Sequence, residues 1–418
     1  MPVRVFFDNL TLFLTYRLMK NPILPLAAAL AAMLLSASCS EKTCTAPGET
    51  LPILAWHSIP SDQLTEERFQ ELADAGFNIN FSHLGSLDDA LKSLELGRKT
   101  GVKILLTCSE LRSKPDSVAA LVKDHPALWG YFLRDEPWCS DFPDLAAWAR
   151  RIEAVDSVHQ LYLNLYPIGI DYPTIGARDY RDYVRRFIDE VGLPMVSFDH
   201  YPVRVDGLRQ DWYENLEIIR EESARSGLPF WAFAMCVPHW HYPEPTMTHL
   251  RIEAYTDLAY GASGLQYFTY WTPRADSQGF NYRGGPISYE GQKTEMYDRV
   301  KTLNAELQAR AGVFVGSEVV QVGVVGDVPP GATPLKELPE GVASLDTHGA
   351  RALVSLLQKG KKSFLVVVSG SIEEPMSLDI SFRKKACEVD REGRYVPVGK
   401  HPEQYRIEAG DVRIFRLR

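Results

Sequence analysis

Apolar positions along this chain fall in short runs separated by longer amphipathic stretches. Runs of apolar or β-branched residues occupy 51–56, 77–81, 102–107, 128–133, 160–166, 195–201, 230–235 and 265–271. Each is short, continuous rather than alternating, and of the kind expected of a strand covered on both faces. Between them apolar residues recur at helical spacing over 66–75, 87–100, 145–155, 179–191, 212–226 and 250–260. Gly76, Gly101, Gly192, Gly227 and Gly261 precede the following strands, where a left-handed helix end is expected. Eight strand–helix units in about 260 residues predict a (β/α)8 TIM barrel over 51–312. A doubly wound open sheet is the runner-up, and it lacks a glycine-rich phosphate loop after any strand.

The pattern changes near residue 313. A charged helix over 292–311 gives way to alternating strands at 318–325, 342–347, 351–358, 363–368, 376–382 and 412–416. No helical period follows. This predicts a small C-terminal antiparallel β-sandwich over 313–418, a buttress for the barrel.

The N-terminus has the pattern of a targeting segment. Met19-Lys20 precedes an apolar run over 23–35 and then Ser36-Ala37-Ser38-Cys39. The run is short for a membrane span. Ending on a cysteine, it resembles a bacterial lipoprotein signal, although Leu35 stands one place earlier than usual. The resemblance implies a signal peptide over 1–38, lipidation of Cys39, a tether over 39–50 and an exported protein held at the periplasmic or outer surface. Met19 is an alternative start. The remaining cysteines, Cys44, Cys108, Cys139, Cys236 and Cys387, form no CxxC pair, which argues against zinc. Cys108 and Cys139 are expected on neighbouring loops as separate thiols, with a bridge as the alternative. The formal net charge of −9 and the absence of a basic stripe argue against nucleic acid.

In a barrel the strand ends and the loops after them form the reactive face. Strand four ends Arg134-Asp135-Glu136-Pro137-Trp138, with two adjacent carboxylates. The same face receives Trp56, His57, Asn164, Tyr166, Tyr201, Trp240 and Trp271. Asp199 shares its strand parity with Ser197 and Tyr201. Aromatic rings suit the C–H faces of sugars, and carboxylates, histidines and amides suit their hydroxyls. Cleaving a glycosidic bond needs a protonated carboxylic acid and a second group at the anomeric carbon. A carboxyl beside another carboxylate and an aromatic wall can keep its proton near neutrality. Glu136 is therefore the candidate acid/base, with Asp135 first and Asp199 second as the assisting carboxylate. The competing structural role for Asp135 or Glu136 is capping the helix that begins near Asp141. The His239-x-His241 pair lacks a third ligand, so no metal is expected, and hydrolysis by water and carboxyls calls for no cofactor.

Residues 51–312 resemble (β/α)8 glycoside hydrolases. In the retaining clan that includes family 42 β-galactosidases the acid/base glutamate ends strand four, where Glu136 stands. The segment 254–268 and Trp271 are similar to the strand-eight region of those enzymes. The departure is strand seven, Pro229-Phe230-Trp231-Ala232-Phe233-Ala234-Met235-Cys236, which lacks the nucleophile glutamate that the resemblance implies; Glu244 comes eight residues later. The Asp-Glu pair is also similar to family 20 and 123 hexosaminidases. That similarity implies an acid/base glutamate, an aspartate orienting the substrate acetamido group, and Tyr201 or Tyr166 holding the acetamido oxygen. These resemblances imply an oligo- or polysaccharide substrate and a lipid-anchored glycosidase. The alternative is a glycan-binding lipoprotein on a barrel scaffold without catalysis.

Overall fold

The computed structural model describes residues 49–275, 279–399 and 402–418. Residues 1–38, Cys39, Cys44 and most of the tether lie outside them. Eight parallel strands form one sheet: β1 (Ile53–Trp56), β2 (Ile79–Asn80), β3 (Lys103–Leu106), β4 (Leu128–Asp135), β5 (Gln160–Asn164), β6 (Val196–Phe198), β7 (Phe230–Met235) and β8 (Gly264–Phe268). Their order is β5-β4-β3-β2-β1-β8-β7-β6. A bridge between Leu165 and Phe198, with Leu165 N donating to Ser197 O at 2.8 Å, closes the ring. The chain thus folds as a (β/α)8 barrel.

Helices surround the ring: α1 (Glu66–Asp74), α2 (Leu87–Thr100), α3 (Ser109–Ser113), α4 (Pro115–Val122), α5 (Phe142–Glu153), α6 (Tyr172–Ile175), α7 (Tyr180–Arg186), α8 (Trp212–Ser226), α9 (Met247–Ala259), α10 (Glu295–Ala309) and α11 (Ala311–Phe314). Local sequence sets their ends. Ser86 caps α2 by accepting from Asp89 N, and Gly101 stops it with φ of 81°. The helical stretch expected over 179–191 runs as α7 and then a π-helical turn, Phe187–Val191. Helices α3 and α4, broken at Pro115, were not legible as one amphipathic period.

The barrel strands bury both faces. Leu54, Trp56, Phe81, Leu105, Phe132, Tyr162 and Phe233 pack inside the ring, while Ile53, Ala55, Leu106, Leu163 and Ala232 face the helices. Rings dominate the interior: Trp56 and Phe132 both lie against Phe81, with centroids 4.4 Å apart in each pair.

The C-terminal part is an antiparallel sandwich. One sheet has the order β9-β11-β12-β17-β14-β15 and the other β10-β13-β16. The strands are β9 (Glu318–Val325), β10 (Val342–Asp346), β11 (Ala352–Lys359), β12 (Lys362–Ser369), β13 (Met376–Phe382), β14 (Ala386–Val389), β15 (Tyr395–Pro397), β16 (Glu403–Ile407) and β17 (Val412–Leu417). The period of two decides which side each residue serves. Leu353, Leu357, Phe364, Val366 and Ile414 join the core shared with the barrel helices. Val354, Leu356, Leu365, Val367 and Phe415 pack with Leu378 and Ile380 of the second sheet. A buried charge cluster also ties the two parts together. Glu306 of α10 accepts from Tyr255 and Arg251 of α9, from Arg310, and from Arg391 of the sandwich.

Among the described residues no helix is long and apolar enough to cross a membrane. Cys108, Cys139, Cys236 and Cys387 are buried free thiols, so Cys108 and Cys139 are separate rather than bridged.

Candidate active site

Strand β4 delivers its two carboxylates by breaking its own alternation. Phe132 pairs with Tyr162 of β5, and both point into the barrel. The register then slips, so that Arg134 pairs with Leu163 and Asp135 with Asn164. This bulge turns Asp135, rather than Arg134, toward the barrel axis beside the inward Asn164. Glu136 follows with φ of 46°, a left-handed conformation uncommon outside glycine, while its N–H donates to Asn164 O at 2.9 Å. Bulge and left-handed turn together let two consecutive carboxylates serve one cleft. Backbone strain held at such a place is a recognised mark of functional sites.

Neither carboxylate caps a helix. Asp141 stands at the start of α5, and its carboxylate accepts from Trp138 N at 2.9 Å to brace the turn before it. The Asn164 amide instead donates to Asp135 at 3.2 Å and to Asp199 at 2.9 Å. Its two hydrogens are thus divided between two carboxylates, and its oxygen accepts from Ser197 Oγ at 2.9 Å. Behind Ser197 stand Tyr162 at 2.7 Å and Gln266 Nε2 at 2.8 Å. A chain of buried side chains from β8, β6 and β5 therefore fixes the rotamer of Asn164 and, through it, both aspartates. Gln266 was missed from sequence alone; its inward parity with Gly264 and Phe268 was the available signal.

Electrostatics separates the three acids. Among the described residues the Glu136 carboxylate has no hydrogen-bond partner. Burial, and then the charge of Asp135, push its pKa up to about 7. Asp135 is ringed by protein yet keeps a face open to solvent. Burial raises it to about 6, opposed by the Asn164 amide and by Arg134. Asp199 is the most enclosed of the three, and burial followed by the charges on Glu136 and Asp135 raises it well above the carboxylate range.

The other expected site residues divide into walls and packing. Tyr201 lies beside the three carboxylates, and its buried hydroxyl has no hydrogen-bond partner among the described residues. Tyr166 lies beside Glu136 and the Trp138 indole, and Trp138 itself is half exposed. Trp56 is 3% exposed and belongs to the barrel interior, so its ring forms floor rather than open platform. Trp271 is also buried, with Arg68 over one face at 5.3 Å and its indole N–H donating to Tyr289 O. With His57 it lines a cavity of about 360 Å³ between the first and last barrel loops. Burial lowers the pKa of His57 and favours its neutral form. Trp240 is the open ring, 49% exposed and stacked on Phe280 at 3.9 Å.

Strand β7 ends without a carboxylate. Cys236 there is buried, its thiol donating to Thr269 O at 3.1 Å. Glu244 turns away to Arg299 of α10 at 2.6 Å. His239 bonds the Val237 carbonyl, and no group of three metal-binding side chains occurs among the described residues.

A closed (β/α)8 ring with acids gathered over its strand ends defines the fold class, and solved glycoside hydrolases share that fold. A family 42 β-galactosidase from G. stearothermophilus, solved as a catalytic mutant, superposes with a TM-score of 0.64 at 8% identity, over 89% of this chain and 99% of that one. A family 27 β-L-arabinopyranosidase from Geobacillus stearothermophilus gives 0.50 at 9% identity, over 88% and 96%. An α-amylase from H. orenii gives 0.50 at 10% identity, over 88% and 100%. At these identities the likeness is one of fold. The sequence matches no protein-family model and no curated protein.

Proposed function

We propose that this chain hydrolyses glycosidic bonds in extracellular glycans, with Glu136 as general acid/base and Asp135 as the assisting carboxylate. The observation that carries this reading is Glu136 itself. It is turned into the cleft by a left-handed backbone, its carboxyl free of hydrogen bonds among the described residues, and holds its proton near neutrality beside a more acidic carboxylate. Two carboxyls with separated pKa values are what acid-assisted cleavage needs. The lipoprotein-like N-terminus, with Cys39 as anchor, supports placing the activity outside the cytoplasm.

Asp135 and Glu136 are consecutive, so they approach a sugar from one side of the strand end. A nucleophile must come from elsewhere. The reading favoured here is substrate assistance by a 2-acetamido group. Glu136 gives its proton to the leaving oxygen as the anomeric C–O bond breaks, and the acetamido oxygen bonds to the anomeric carbon. Asp135 accepts from the acetamido N–H and stabilises the positive ring that forms. The unpartnered Tyr201 hydroxyl is the donor suited to the acetamido oxygen. Glu136, now a carboxylate, then takes a proton from the water that opens the ring. A second reading has Asp199 as the carboxylate at the anomeric centre, favoured by its sharing of the Asn164 amide with Asp135.

Release of aryl alcohol from paired 2-acetamido and 2-hydroxy aryl glycosides separates the readings. Substrate assistance expects turnover of 2-acetamido substrates alone and a loss of about a hundredfold or more in Asp135→Asn. Turnover of 2-hydroxy sugars abolished by Asp199→Asn selects the second reading. No release from any substrate, with glycan binding unchanged by Glu136→Gln, leaves a binding protein and ends the enzyme proposal.

A further inference from the structure

Beyond β6 lies a charge that this chemistry leaves unused. The chain there forms a small hairpin in which Val203–Arg204 pairs with Gly207–Leu208. Val205 N donates to His241 O at 2.9 Å, fastening the hairpin to the loop after β7. Arg204 sits at this junction. Its Nε is buried without a hydrogen-bond partner, and it forms no ion pair among the described residues. The neighbouring Arg209 differs, being paired with Asp211 at 2.6 Å. Asp211 is satisfied in turn by Arg209 and His200, and Asp206 is exposed to solvent on the hairpin turn.

Two phenol rings connect Arg204 to the carboxylates. Arg204 reaches the Tyr242 phenol, whose ring meets Tyr201 edge-on at 5.8 Å, and Tyr201 adjoins Asp199, Asp135 and Glu136. Arg204 also borders an open groove of about 670 Å³, lined by Gly169, Asp206, Leu208, Arg209, Gln210 and Asp211, of which Asp211 is taken up by Arg209 and Asp206 faces solvent. An unpaired guanidinium N–H away from water is costly, and its planar fork fits a carboxylate or sulfate. The ionised Asp135 in the cleft repels an anionic sugar group placed beside it. A fixed cation two phenol rings away would let such a sugar dock, and in one orientation only, with its acid group turned from the carboxylates.

We propose that Arg204 is the specificity residue of a subsite for an anionic substituent, a uronate carboxylate or a sulfate ester, on the glycan that enters the cleft. The proposal rests on the carbohydrate reading of the cleft but not on catalysis. Calorimetric titration of the full chain tests it with oligogalacturonate against its methyl ester, and with sulfated against desulfated keratan tetrasaccharide, whose backbone carries no uronate. At low salt one charged member binds about tenfold more tightly than its neutral partner, and which pair shows the preference distinguishes carboxylate from sulfate. Arg204→Gln erases that ratio while neutral binding stays within about twofold, and Arg204→Lys, which keeps the charge and the stem, retains part of it. Glu136→Gln leaves the ratio intact. If aryl glycosides are not cleaved while the ratio holds, the glycosidase reading fails and the subsite stands. Equal binding of charged and neutral partners, a ratio that survives Arg204→Gln, or no binding of acidic glycans overturns it.

Discussion

Replacing Glu136 by glutamine lowers kcat/KM by about 10²–10⁴-fold on glycosides with poor leaving groups, and far less on 2,4-dinitrophenyl glycosides. The asymmetry follows from the proposed role. A poor leaving oxygen departs with a proton, and Glu136 is the acid in the cleft whose carboxyl is free of partners and whose pKa lies near neutrality. A dinitrophenolate departs without that proton, so losing the acid costs little in the bond-breaking step. The amide keeps the volume and the left-handed backbone of the site, so folding does not confound the comparison. Steady-state kinetics across a series of aryl leaving groups reads the difference as a steeper dependence on leaving-group pKa in the variant. An equal loss on every leaving group would assign Glu136 to binding or structure instead.

Glu306→Ala destabilises the fold by about 3–5 kcal/mol, seen as a lower urea midpoint. Glu306 is 6% exposed and Arg310 4% exposed. Their contact at 3.1 Å is one of several on the same carboxylate, since Arg251 and Arg391 each approach it at 3.0 Å. Arg310 also donates to the carbonyls of Asp390 and Val389, so it cannot swing out to water without releasing the sandwich. Alanine leaves that guanidinium buried and uncompensated, which accounts for most of the loss. Changing Glu306 and Arg310 together to apolar residues of similar size costs less than the single change. A midpoint unmoved by Glu306→Ala would remove the cluster from the account of how barrel and sandwich hold together.

The strand runs announced the barrel because a strand buried on both faces has few sequence alternatives. Glu136 stood out as a candidate for a related reason: charge is costly at the end of an apolar run, and the end of a barrel strand is where such enzymes keep their chemistry. What stayed hidden depends on backbone irregularity and on contacts distant in sequence. Strict alternation would send Arg134 inward with Phe132, and only the bulge after Phe132 gives that place to Asp135. The Asn164 amide, dividing its hydrogens between Asp135 and Asp199, joins residues from three strands. Tryptophans were the poorest guide. Trp56 and Trp271 fall on the expected face, yet their rings are spent largely on packing, while Trp138 and Trp240 stand open. Sequence position fixes the strand end a ring comes from but not which way the ring turns.

The central claim is that this cleft pairs a protonated Glu136 with an ionised Asp135 near neutral pH. The pH dependence of kcat/KM on a 2-acetamido aryl glycoside tests it most directly. Burial raises both groups, so the active form with Asp135 ionised and Glu136 protonated occupies a narrow window. The rate should rise through about pH 6 as Asp135 loses its proton and fall through about pH 7 as Glu136 loses its own. Glu136→Gln should remove the upper limb alone. A plateau extending well above pH 7, or no release of aryl alcohol at any pH, would contradict the account.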